Sequence, residues 1–432
     1  MADTDADIIQ ECETRAGSFG QAFQTGEFDD AVTLFEPGAA EEFVASLKEE
    51  GLGPFLGDDP TFVLRRCRRA IKALFGDIES ATISELTEEN TAIVVTSTFN
   101  CANGTTQLDL KFNQHTEITD LSFADSYTPP SYADTDAFDE YSVTIDCRDI
   151  ELDGYVTLPT EHDNPPLAVL VLGAGDLDKN YTSGPNRFFK DLAWGLATEG
   201  IATLRYDKRE TVTDISPEER TLDTCYFSDG VAAVDRATDI ADIDSSAVFV
   251  IGHSQGGRCA FEIARRYGDV AGVAALDSPL LKPLEPEPEH YQDLLELDGE
   301  LPSFVEGLTD EYTTERARFI DGDYGPDDDI MDLPATYLDS TYAYDQFETA
   351  ESLSVPLFIY HMWLALQAPE EKRAQWEDII SSEQDTILQR PELNHHFQRG
   401  EQPRSMLEPV ILHKSVDYTV IDDLASWISK VC

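Results

Sequence analysis

From residue 167 onward the chain alternates short, almost wholly apolar runs with segments of helical spacing. This alternation restricts the fold more than any other feature of the sequence. "LAVLVLG" is followed by a helical pattern through "FFKDLAWGLATEG" and then by "IATLRYD". Helical spacing returns in "DGVAAVDRATDIA", which leads to "SAVFVIG", a further helix and "VAGVAALD". A continuous apolar run reads as a strand buried on both faces, and strands that return through helices pair in parallel. The expected class is therefore α/β, a mainly parallel sheet covered on both sides. "VPLFIYHM", helical "EEKRAQWEDII", the short "DTILQ" and a closing helix "DYTVIDDLASWIS" carry the pattern towards the C-terminus.

One junction in this pattern points to chemistry. Gly252-His253-Ser254-Gln255-Gly256 stands between an apolar strand and a helix. A serine between two glycines means little alone. On a sharp strand-to-helix turn it means more, because small residues two positions either side let the turn close over a strained serine. The start of the helix also directs backbone N–H groups and a positive dipole end at a developing oxyanion. A serine hydroxyl then needs a base, and there are eight histidines. His253 adjoins Ser254 and is expected to point elsewhere. His115, His162, His290, His361 and His413 lie in other parts of the pattern. His395 and His396 sit in "PELNHHFQRG", a late loop that suits a Ser…acid…His order.

The remaining chain organises around this unit. Residues 1–125 read as a small α+β domain, two helical stretches and then four alternating runs that suggest an antiparallel sheet. Residues 126–140 contain Pro130 and few core residues, and read as a linker. The large unit spans 141–432 and opens on a hairpin, "YSVTIDC" and "IELDGYVTLP". Residues 280–350 interrupt the alternation and read as a partly helical cap insertion. Tyr291, Leu294, Leu295, Phe304 and Tyr312 in that cap either line an acyl pocket or only pack the cap on the body.

The formal charge is −55, from 85 Asp and Glu against 30 Lys and Arg, spread over the whole length. With aromatic residues at 10%, this is an acidic surface on a folded protein rather than a disordered acidic chain. Such self-repulsion is relieved in strong salt, where the Debye length shrinks to about 3 Å at 1 M. The composition implies a salt-rich cytoplasm, as in halophilic archaea or bacteria. It argues against nucleic acid and anionic membranes as partners. No apolar run approaches the ~20 residues of a membrane helix, and the acidic start of the chain has no secretory signal pattern. A cytoplasmic location is the expectation. Seven scattered cysteines with no Cys-x-x-Cys pair suggest buried free thiols.

Residues 141–431 resemble the α/β-hydrolase fold, in its esterase and dienelactone-hydrolase-like branch. The resemblance rests on "VLVLGAGDLDKN", "NRFFKDLAWGLATEGIATLRYDKR", "VFVIGHSQGG", "VPLFIY" and "LNHHF". The N-terminal part resembles a small domain of unknown function often fused ahead of such hydrolases. The resemblance implies Ser254 as nucleophile and His395 as base, since Asn394-His395-His396-Phe397 fits the family's Asn-His-x-Phe. It implies the backbone N–H of Gln255 as one oxyanion donor. The second donor belongs to the loop at Gly173-Ala174-Gly175, with Ala174 the expected residue. Asp178 in the same loop is read as loop-shaping. No metal or organic cofactor is implied.

One departure matters. The family's pattern after strand seven is Gly-x-x-Asp, but here Met362 and Ala365 fill those positions. The acid that orients the histidine is therefore missing from its usual place, and its loss costs ~10⁴ in rate. Asp277, at the C-terminal end of the sixth strand, is the expected replacement, because the order Ser254…Asp277…His395 is kept. Glu370 or Glu371, just past the vacated position, are alternatives, and Asp277 has a competing use as a cap of the turn "DSPL". The expected activity is hydrolysis of a small-molecule carboxylic ester through an acyl-enzyme on Ser254. The same triad serves a thioesterase or peptidase, and the vacated acid position is the argument for a catalytically silent binding protein.

Overall fold

The computed structural model describes residues 2–49, 56–89, 92–123, 126–286, 304–401 and 407–432. The N-terminal part contains helices α1 (Ala2–Thr25), α2 (Phe28–Val32), α3 (Ala39–Leu47) and α4 (Pro60–Phe75). They cover one side of an antiparallel sheet, β1 (Ile78–Glu89), β2 (Ala92–Cys101), β3 (Gly104–Phe112) and β4 (Ile118–Phe123), in the order 1-2-3-4. Local chemistry sets the ends of α4. The Asp59 carboxylate caps the Thr61 N–H, Pro60 pre-sets the first turn, and Gly76 leaves the helix at φ 80°. The inward side chains alternate along β3, so Leu108, Leu110 and Phe112 are buried against Phe19, Phe23 and Ile71. That cluster also takes in Leu407, Ile411 and Leu412 from near the C-terminus.

β5 (Phe138–Cys147) and β6 (Ile150–Pro159) form an antiparallel hairpin at one edge of the eight-stranded sheet. The other strands are β7 (Leu167–Val171), β10 (Ala202–Tyr206), β11 (Val248–His253), β12 (Gly272–Leu276), β15 (Leu357–His361) and β16 (Thr386–Gln389). Their order is β16-β15-β12-β11-β7-β10-β6-β5, and every pair from β10 to β16 is parallel. β7, β10, β12 and β15 are buried at every residue, as strands covered on both faces must be. Two-residue ladders β8–β9 (Thr182–Ser183, Asn186–Arg187) and β13–β14 (Asp329–Ile330, Leu333–Pro334) lie outside this sheet.

Apolar clusters flank the two faces of the sheet. Helices α6 (Ser228–Thr238) and α7 (Gln255–Tyr267) cover one face. Helix α5 (Phe188–Thr198) and the closing helix Tyr418–Val431 cover the other. The chain order reverses about β7, whose neighbours are β10 and β11. In open parallel sheets the crevice beyond the carboxyl ends of the strands at such a point is where sites form.

The segment between β12 and β15 carries helices Phe304–Asp321, Ala335–Ala343 and Gln346–Glu351. Tyr291, Leu294 and Leu295 lie outside the described residues. Tyr312 is buried with Leu284, Ile330 and Leu338 and donates to Pro286 O. Phe304 stands edge-on to Phe62 of α4, with ring centroids 5.8 Å apart, so this segment touches the N-terminal part directly. All seven cysteines are free thiols, six of them buried. Among the described residues no helix is long and apolar enough to cross a membrane.

Candidate active site

Ser254 stands between β11 and α7 at φ 55° and ψ −126°, a backbone region that non-glycine residues rarely occupy. The two glycines of the motif let that turn exist. A Cβ on Gly252 would lie 2.2 Å from Gly256 O, and one on Gly256 would lie 2.2 Å from Leu172 O. Ser254 N–H donates to Leu276 O at 2.9 Å, which ties the elbow to the end of β12. Gln255 is the first residue of α7, so its N–H is one of the helix donors without an intrahelical partner.

The loop after β7 passes close by. A Cβ on Gly173 would be 3.1 Å from the Ser254 Cβ. Ala174, next in that loop, is exposed. The loop is held from below by Lys208, which is buried and whose Nζ donates to Gly173 O at 3.2 Å and Gly175 O at 2.8 Å. Tyr226 OH donates to the same Gly173 O at 3.1 Å. Both side chains fix the direction of the Gly173 carbonyl, and across a trans peptide the Ala174 N–H points opposite to it. Asp178 accepts from Thr182 N–H and hydroxyl at 2.8 and 2.9 Å, closing the far end of the loop. The sequence contained Lys208 within "RYDKR", but nothing in its spacing pointed to this use.

Asp277 follows β12 at φ 44°, fully buried. One carboxylate oxygen meets His395 Nδ1 at 2.7 Å. The other accepts the backbone N–H groups of Met362 and Ala365, each at 2.9 Å. The two positions where the family pattern would place Gly and Asp thus supply main-chain donors to a carboxylate that comes from the next strand. Glu370 and Glu371 are exposed at the start of helix Glu370–Ile379, and the acid paired with His395 is Asp277.

The loop that carries His395 is built by Asn394 and Gln398. Asn394 Oδ1 accepts from His396 N–H and Gln398 N–H at 2.9 Å, and its Nδ2 donates to Gln398 Oε1 at 2.8 Å. His253 does point away from the Ser254 side chain, but it is not idle. Its Nε2–H donates to His395 O at 2.7 Å, and its ring lies 4.5 Å from that of His395. His396 packs beside Tyr181 and Phe188. Burial pushes the pKa of His253 and His396 well below the ordinary histidine value, so both stay neutral. His395 keeps an exposed edge, its side chain 17% accessible. Among the described residues no hydrogen bond joins Ser254 Oγ to His395, whereas His395 and Asp277 are already paired. No cluster of His, Cys, Asp and Glu able to hold a metal ion occurs among the described residues.

No family model matches the chain. It is 32% identical over 305 residues to Esterase EstD of Thermotoga maritima, an overlap of 70% of this chain and 71% of that protein. Est1E from Butyrivibrio proteoclasticus is 18% identical and covers 67% of this chain and 99% of its own, with a TM-score of 0.42. The dienelactone hydrolase from Anabaena variabilis is 16% identical over 68% of this chain and 98% of its own, with a TM-score of 0.39.

Proposed function

The chain belongs to the α/β-hydrolase superfamily, among the EstD-like esterases, and on that premise we propose that it is a serine carboxylesterase. Ser254 Oγ attacks the ester carbonyl while His395 Nε2 takes its proton. Asp277, bound to His395 Nδ1, fixes the tautomer and stabilises the imidazolium. The tetrahedral oxyanion is received by the N–H groups of Gln255 and Ala174. Collapse expels the alcohol, which leaves with the proton from His395 and leaves an acyl group on Ser254. Water, deprotonated by His395, then releases the acid.

The observation that carries this reading is the buried Asp277 carboxylate, 2.7 Å from His395 Nδ1 and held by two backbone N–H groups. A retired site has no physical reason to bury a carboxylate against a histidine and to keep a serine in a strained elbow beside it. Ester rather than thioester or peptide is favoured because the 32% identical relative is an esterase. The acidic composition supports a salt-rich cytoplasm as the place of work.

The test is hydrolysis of short p-nitrophenyl esters in molar KCl by the wild type, Ser254→Ala and His395→Ala. Both variants should lose ~10³-fold or more in kcat. Turnover that persists in Ser254→Ala would remove the nucleophile assignment, and an inert wild type would favour a binding protein.

A further inference from the structure

Lys208 follows β10, and its buried ammonium lies under the loop after β7. An ammonium has three hydrogens. Its acceptors here are Gly173 O at 3.2 Å, Gly175 O at 2.8 Å and Tyr226 OH at 3.1 Å. The tyrosine donates its own hydrogen to Gly173 O. Glu210 Oε1, on a side chain that is also buried, stands 3.2 Å from Nζ as the counter-charge. The carbonyls on either side of Ala174 thus share one buried cation.

Holding the loop in place does not require this charge. Asp207 accepts from Lys179 N–H and Nζ, each at 2.7 Å. The Lys208 N–H donates to Leu177 O at 3.2 Å, and Asp178 accepts from Thr182 N–H beyond it. Burying an ammonium and a carboxylate is costly where a neutral donor would tie down the same carbonyls. What the ammonium adds is polarisation. Gly173 C=O and Ala174 N–H are the two ends of one conjugated peptide unit. A cationic donor on the oxygen draws electron density from the nitrogen and makes its N–H a stronger donor. A Cβ on Gly173 would be 3.6 Å from Ser254 Oγ, so this peptide lies beside the nucleophile.

We propose that Lys208 is a positioning residue for the reaction, whose charge acts through the Gly173–Ala174 peptide to strengthen the Ala174 N–H as an oxyanion donor. The step it serves is the addition of Ser254 Oγ to the ester carbonyl carbon. The C=O π bond opens to an oxyanion while the hydroxyl proton passes to His395. Negative charge on that oxygen grows only towards the transition state, so Lys208 favours the transition state over the bound ester. The inference rests on the esterase reading of Ser254.

A methyl ketone and its trifluoromethyl counterpart of the same chain length test this as inhibitors. Both bind by shape, and only the trifluoromethyl ketone adds Ser254 Oγ and carries an oxyanion. Lys208→Met/Glu210→Gln removes both buried charges at nearly constant volume, so neither is left unpaired. Its inhibition constant for the trifluoromethyl ketone should rise ~10- to 100-fold, less than the ~10²–10³ of losing a donor outright. Its kcat on p-nitrophenyl esters should fall by the same factor, with KM and the methyl ketone constant within about twofold of wild type. A loop that had only lost its tether would weaken both ketones together. Equal losses for the two ketones, or an unchanged trifluoromethyl constant, would overturn the proposal. Lys208→Gln/Glu210→Gln, which returns a neutral N–H donor, should recover only part of the loss, and full recovery would assign the effect to the tether instead. Ser254→Ala tests the underlying reading separately, since it should bind the two ketones alike with Lys208 intact. A trifluoromethyl preference retained there would remove the nucleophile assignment and this proposal with it.

Discussion

At the scale of single residues the reading turns on Ser254 and Asp277. The glycines about Ser254 were legible because only a residue without Cβ fits such a turn, and the 2.2 Å approaches give that reason its size. Gly256→Ala should therefore lower stability by ~2 kcal/mol or more and abolish turnover together, checked by urea unfolding beside an ester assay. Asp277 was legible as the expected replacement acid, from its place at the end of the sixth strand and the kept order Ser254…Asp277…His395. What its position hides is that Met362 and Ala365 offer N–H groups, and backbone donors leave no trace in residue type. Asp277→Asn keeps those two bonds but turns an amide N–H towards His395 Nδ1, which forces the wrong tautomer. Its kcat should fall by ~10³–10⁴ with KM little changed. Tyr226 was silent in the sequence because its role is to hold a carbonyl from beneath. Tyr226→Phe should lower kcat by roughly three- to tenfold at unchanged KM, since one loosened oxyanion donor affects the transition state more than the bound ester.

Among elements, the strands of the parallel sheet were the easiest to read, since burial on both faces writes itself as uninterrupted Val, Ile, Leu and Ala. The contact between the two parts of the chain was not legible. Leu407, Ile411 and Leu412 complete the N-terminal core, and Lys414 Nζ donates both to Leu74 O in α4 and to Arg399 O, four residues beyond His395. No periodicity marks a helix that packs on a distant unit. Ile411→Ala should cost ~2–4 kcal/mol in denaturant unfolding, as a buried core truncation does. Helix α5 carries a second hidden feature. Asp191 is buried, and desolvation pushes its pKa up to about 7, although it accepts from Tyr127 OH and Val416 N–H. The folded state therefore holds a proton that the unfolded chain has released above pH ~4. Stability from this group is full below pH ~4, falls as the pH rises towards 7, and is gone above. Asp191→Asn should match the wild type in acid and gain on it progressively between pH 4 and 7, with a constant advantage beyond, followed by unfolding midpoints at each pH.

For the whole molecule the decisive quantity is the charge of −55, which needs no structure to be read. Many of the few bases are already engaged, as Arg205 with Glu140, Arg209 with Asp229 and Arg390 with Asp423. Most acids thus remain as mutual repulsion. Raising KCl from ~0.1 to ~2 M should raise the thermal midpoint, because the screening length drops from ~10 Å to under 3 Å. A midpoint that falls with salt would count against a salt-rich setting. The central claim is that Ser254 is a nucleophile activated by His395 and Asp277. It is tested most directly by the rate and position of covalent labelling with a fluorophosphonate, followed by peptide mass spectrometry. One label on Ser254 is expected, formed ~10³-fold more slowly in Asp277→Asn. A label on another residue, or an equal rate in the two proteins, would contradict it.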